Sequence, residues 1–144
     1  MNRVIIFLFF ILLFSGKISA QNSFKEMFYK SYEHLSEENY SSALPILFEM
    51  FEMNHKNANT AFSIGLCYLN TPHKREKAIP FFEDAQKKLD PNYEAGYHKE
   101  KKAPLESFRF LGQAYHYNYE FEKALEQYDI YKSILDPKNK EDIS

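Results

Sequence analysis

One cysteine, four glycines and no excess of positive charge set the first limits on this 144-residue chain. Cys67 stands alone, so no intramolecular disulfide is available and packing must hold the fold. It directly precedes Tyr68 in an apolar stretch and reads as a core residue, not a nucleophile or ligand. Gly16, Gly65, Gly96 and Gly112 are the only glycines, which excludes a glycine-rich loop cradling phosphate. The five histidines, His34, His55, His73, His98 and His116, include no i,i+4 pair and no accompanying acid cluster. A metal site is therefore not expected. No serine elbow and no Cys–His spacing of a known nucleophile is present. The reading is non-catalytic, with no cofactor.

Long apolar runs are scarce too. The single one, Val4 to Phe14, has eleven residues, short of the roughly twenty that span a bilayer. Asn2-Arg3 precedes it, Ser15-Gly16 breaks it, and Ile18-Ser19-Ala20 offers a small residue for cleavage. That succession predicts a signal peptide over 1–20, cut before Gln21, against the rival reading of a retained anchor. After cleavage no membrane span is expected. Losing Arg3 and Lys17 moves the net charge from −2 to −4, a poor balance for nucleic acid or anionic membranes.

What is present is a repeat. Phe108, Leu111, Gly112, Tyr115, Ala124, Tyr128 and Asp136-Pro137 follow the large-x2-Leu-Gly-x2-Tyr spacing of the tetratricopeptide (TPR) helix-turn-helix. Two antiparallel helices pack closely where one offers the other a small residue. Gly112 and Ala124 supply that gap here. The pattern recurs at Ile64-Gly65, Tyr68, Ala78, Phe82, Ala85 and Asp90-Pro91, and more weakly at Tyr40, Ala43 and Leu47. Phe24 to Glu37, the first helix of that weak repeat, has no Leu-Gly pair. Ala43, Gly65, Tyr68, Ala78, Ala85, Gly112, Tyr115 and Ala124 are thus the expected packing residues. Pro45 and Pro80 share one register, on a face expected to be solvated.

The predicted fold is all-α: a TPR-type solenoid of three repeats and six helices, spanning 21–137 after the signal peptide and before a polar tail, 138–144. Periodicity and breakers place helices at 22–37, 41–54, 58–70, 75–89, 104–117 and 121–135, with Pro104 opening the fifth. The stretch from Asn92 to Ala103 is a long connection. Its run His98-Lys99-Glu100-Lys101-Lys102 reads plainly as a solvated loop, and more sharply as a dock for an acidic partner. In the TPR fold the first helices line a concave groove. Alignment puts Phe28, Tyr32, Phe62, Leu66, Asn70, Arg109, Gln113, His116 and Tyr117 there, facing a protein or peptide partner. Ordinary inter-repeat packing is the competing reading for the aromatics. Phe28 and Tyr32 occupy two positions where chaperone-binding TPR domains need their carboxylate clamp, so that ligand is excluded. Beyond Leu135 no seventh helix is expected to cover the last repeat, which leaves a homo-oligomer through that end as an alternative.

Four stretches together resemble a narrower family: Ile64-Gly65-Leu66-Cys67-Tyr68-Leu69-Asn70, Lys77-Ala78-Ile79-Pro80-Phe81-Phe82-Glu83-Asp84-Ala85, His98-Lys99-Glu100-x2-Ala103-Pro104, and Leu111-Gly112-Gln113-Ala114-Tyr115-His116. This order is similar to the N-terminal TPR region of Bacteroidota envelope proteins of the OmpA family that carry a β-propeller. Some of them serve type IX secretion and gliding. The resemblance implies an exported scaffold, periplasmic or outer-membrane associated. Neither propeller nor OmpA-like domain follows the third repeat, so peptidoglycan binding is not carried over. A spacer, or the N-terminal fragment of a longer protein, is the alternative.

Overall fold

Local signals fix where each helix starts and stops. In the computed structural model residues 23–135 are described; the expected signal peptide and the polar tail lie outside them. Helix α1 covers 23–36. Helix α2 (Tyr40–Met53) is capped by Asn39, whose Oδ1 accepts from the Ser42 amide at 3.3 Å. Helix α3 (Ala58–Leu69) is capped likewise by Asn57, through Thr60. A 3₁₀ turn (Arg75–Lys77) leads into α4 (Ala78–Ala85); α5 (Ser107–Tyr117) and α6 (Phe121–Leu135) follow. Among the described residues the chain is all-α and solenoid-like: six helices paired as three helix-turn-helix units.

The units repeat in detail. Ala43, Ala78 and Ala124, one on each second helix, are 0–2 % exposed. Opposite them sit small residues of the first helices. A Cβ on Gly65 would lie 2.7 Å from Phe82, and one on Gly112 2.6 Å from Tyr128. Ser31 holds the matching place in the first unit, 2 % exposed, its hydroxyl donating to the Phe28 carbonyl at 2.9 Å. Each turn also contains a non-glycine residue in the left-handed region, five positions before the alanine: Glu38 (φ 56°), His73 (φ 62°) and Tyr119 (φ 63°). Pro45 and Pro80 are exposed.

Two expected boundaries are corrected. Helix α4 does not run to 89. It ends at Ala85, and Leu89–Asp90 (β1) instead pairs in parallel with Ala103–Pro104 (β2), Leu89 opposite Ala103. Pro91 disfavours a helical Asp90, and half-buried Leu89 packs into the core from the extended form. Pro104 therefore does not open α5. It lies buried in β2, where a residue lacking an N–H is tolerated at an edge, and its carbonyl accepts from the Ser107 hydroxyl at 2.7 Å. The paired strands close residues 91–102 into a strap.

The core has two lobes. One joins Ala43, Leu47, Met50, Ile64 and Cys67 between the first and second units. The other joins Phe62, Phe82, Leu111 and Tyr115 between the second and third. Phe51 and Tyr68 touch both. Tyr68 stacks on Phe81 with centroids 5.7 Å apart, and the Tyr115 hydroxyl donates to Glu83 at 2.6 Å across the α4–α5 contact.

Candidate functional site

The nine expected groove residues belong to α1, to α3 with its C-cap Asn70, and to α5, and the face of these helices divides into two halves. The strap crosses the half built by α1 and α3. Tyr93 donates its hydroxyl to Asn59 Oδ1 at 2.8 Å, and the Asn59 amide donates to the Glu100 carbonyl at 3.4 Å. The Ala58 amide donates to the Lys101 carbonyl at 2.9 Å, so the strap satisfies an otherwise orphaned group of the α3 N-terminus. Tyr29 and His98 meet through Oη and Nδ1 at 3.2 Å. Gly96, at φ 81°, passes so close to Tyr32 that a Cβ would lie 3.2 Å from its ring. A side chain there meets both backbone strain and contact, which accounts for the glycine.

This arrangement corrects part of the groove. Phe28 is 7 % exposed and packs among Leu47 and Met50; Phe62 is 6 % exposed, its ring against Phe82, Phe110 and Tyr93. Both are core residues, as packing between units had allowed. Tyr32 stacks on Phe28 at 6.1 Å and is flanked by the strap, though 42 % of it stays exposed. The narrow pocket between Ser31, Leu35, Asn59 and Gly96, about 20 Å³, has room for about one water and no side chain.

The other half remains open. Leu66 is half-buried, and Asn70 is exposed, its amide turned back to the Leu66 carbonyl at 2.9 Å. Arg109 is half-buried, its guanidinium 4.0 Å from the Phe110 centroid. Gln113 is half-buried, while His116 and Tyr117 are exposed. Arg75, absent from the sequence reading, lies 4.1 Å over the Tyr117 ring and donates through Nε to the Leu69 carbonyl at 3.1 Å. It stands one unit away in sequence from its aromatic partner, so no local pattern exposes the pair. The open half is thus an aromatic-cationic-amide surface, of the kind that supplies interface anchors.

The residues named for repeat packing are placed as follows. Ala43, Ala78 and Ala85 have no exposure, Ala124 has 2 % and Tyr115 7 %; Gly65 and Gly112 are buried, and Tyr68 is half-buried. Cys67 is fully buried, and burial pushes its thiol up to about 12. A thiol held protonated in the core is a poor nucleophile. Among the described residues, no three His, Cys, Asp or Glu side chains converge as metal ligands, and no helix is long and apolar enough to cross a membrane. No protein-family model matches the chain, and no curated protein or solved structure is significantly similar to it.

Proposed function

We propose that this protein is a non-catalytic scaffold of tetratricopeptide type, exported to the cell envelope, that holds a protein or peptide partner on the open half of its α1/α3/α5 face. The observation that carries the reading is the common register of three hairpins. Alanine, small opposing residue and left-handed turn recur at matched positions in each, which is how repeat scaffolds generate an extended surface. The surface left uncovered by the strap is built from Leu66, Asn70, Arg109, Gln113, His116 and Tyr117. The apolar run before Gln21 supports export, and the resemblance to Bacteroidota envelope proteins of the OmpA family supplies the setting, type IX secretion and gliding included.

The test has two parts. N-terminal sequencing of envelope-fraction protein should begin at or near Gln21; intact Met1 on soluble cytoplasmic protein contradicts export. The double variant Arg109→Ala/Tyr117→Ala should lose partner capture with helicity unchanged, while Glu126→Ala keeps it.

One observation favours a second reading, a spacer that associates with itself. On α6 only Ala124 is buried, and Phe121, Leu125 and Leu135 are 52 %, 61 % and 55 % exposed. Sedimentation that shows a dimer broken by Leu125→Glu, together with capture indifferent to Arg109 and Tyr117, would favour that reading.

A further inference from the structure

Away from the open half-face, two cavities adjoin at Asn57, where the α2–α3 turn meets the strap. One, of about 470 Å³, has an apolar floor of Phe24 and Met53 and a rim of His98, Lys99 and Lys101. The other, of about 400 Å³, is lined by Lys56, Lys87 and Lys88 with His55, and contains one carboxylate, Asp84. Asp84 is already paired with Lys87. The Glu100 carboxylate accepts the Lys101 and Lys102 amides at 2.8 and 2.9 Å. Lys102 pairs with Asp90 outside both cavities, and Glu52, 73 % exposed, stands by His55. Among the described residues Lys56, Lys88, Lys99 and Lys101 have no carboxylate in ion-pair reach, and all four are exposed.

A chain of negative net charge thus concentrates cations along one trough, bordering an apolar floor on which Met53 is 46 % exposed. Cations gathered in a cleft focus potential toward a ligand of opposite sign. We propose that this trough binds an acidic peptide segment in extended form, its carboxylates reaching the lysines on either side of Asn57 and one apolar side chain entering the Phe24/Met53 cavity. Three features select that occupant. The lysines line two adjoining cavities instead of converging on one point, as a single phosphate group requires. Each cavity is large enough for a few side chains, so a chain with successive groups fills both. The apolar lining is two residues, Phe24 and Met53, whereas insertion into a bilayer needs a whole apolar helix face.

The trough contains none of the open half-face residues, so failure of either proposal leaves the other standing. The test titrates the full-length chain into a dye-labelled peptide of alternating Glu and Leu, read by fluorescence anisotropy. Binding should weaken as salt is added. Lys56→Glu and Lys99→Glu should each weaken it about tenfold or more, one attraction being replaced by repulsion. Met53→Ser should weaken it as well, and Lys77→Glu, outside the trough, should not. All four positions are exposed, so circular dichroism melts should match the parent. Affinity unchanged in Lys56→Glu and Lys99→Glu overturns the proposal, as does a peptide that fails to bind. Tighter capture of phosphatidylglycerol vesicles or of inorganic phosphate than of the peptide overturns it too.

Discussion

Gly65 and Gly112 meet the same demand with different tolerance. A methyl group at either position would press on a ring, but Phe82 is fully buried while Tyr128 is half-buried and can swing toward solvent. Ala gains about 1 kcal/mol over Gly inside a helix, and overpacking a fixed core costs about 1–3 kcal/mol. Gly65→Ala should therefore destabilise on balance, and more than Gly112→Ala. In a Phe82→Leu background, where the clash is gone, Gly65→Ala should turn stabilising by up to about 1 kcal/mol. Urea melts of this cycle check the sign. The buried titratable groups make a second prediction. Burial raises Cys67 from 9.0 to about 12, and burial with nearby acids raises Tyr93 from 10.0 to about 12. Their stability contributions are complete below the unfolded values and disappear as pH rises through the folded ones. The urea midpoint should thus fall between about pH 9 and 12, and Cys67→Ala and Tyr93→Phe should each flatten that decline. A thiol reagent at neutral pH should label Cys67 only after unfolding.

The helix pairs were legible at the level of elements because a small residue at fixed spacing is a local signal. Ala43, Ala78 and Ala124 mark the second helices, and Gly65 and Gly112 mark two of the first. Ser31 escaped because its smallness is not written as glycine, and the three left-handed turns escaped because Glu38, His73 and Tyr119 do not advertise one. The strap was illegible for a different reason. Its anchors join Asn59 to Tyr93 and Ala58 to Lys101, partners 34 and 43 positions apart, and no periodicity reports them. Two predictions follow from these elements. Tyr93→Phe and Asn59→Ala should each cost about 1 kcal/mol or more, Asn59→Ala the more because it also loses the bond to the Glu100 carbonyl, and their double variant little beyond that larger cost, since the Tyr93–Asn59 hydrogen bond is lost in both. Tyr119→Gly should stabilise by roughly 0.5–1 kcal/mol, as relief of the left-handed conformation exceeds the entropy of glycine. Equal, additive losses in the first pair would detach Tyr93 from Asn59, and a loss of stability at Tyr119 would remove the turn argument.

Across the whole molecule, the strap decides which surface can work. Sequence alone spread nine groove residues over three units. Folding withdraws Phe28 and Phe62 into the core and flanks Tyr32, which moves the accessible surface toward α5. The same strap brings Lys99 and Lys101 to a cavity that shares Asn57 with the one lined by Lys56, so one connection closes one surface and helps line another. The exposed flank of α6 remains the competitor. Site-specific photocrosslinking in intact cells separates these surfaces most directly, with a photoreactive residue at Gln113, at Phe62 or at Leu125 in otherwise unchanged chains. A discrete adduct with another polypeptide is expected from position 113 and none from position 62, which lies in the core against Phe82, Phe110 and the strap's Tyr93. Adducts from position 125 alone, at the mass of two copies of this chain, would contradict that expectation.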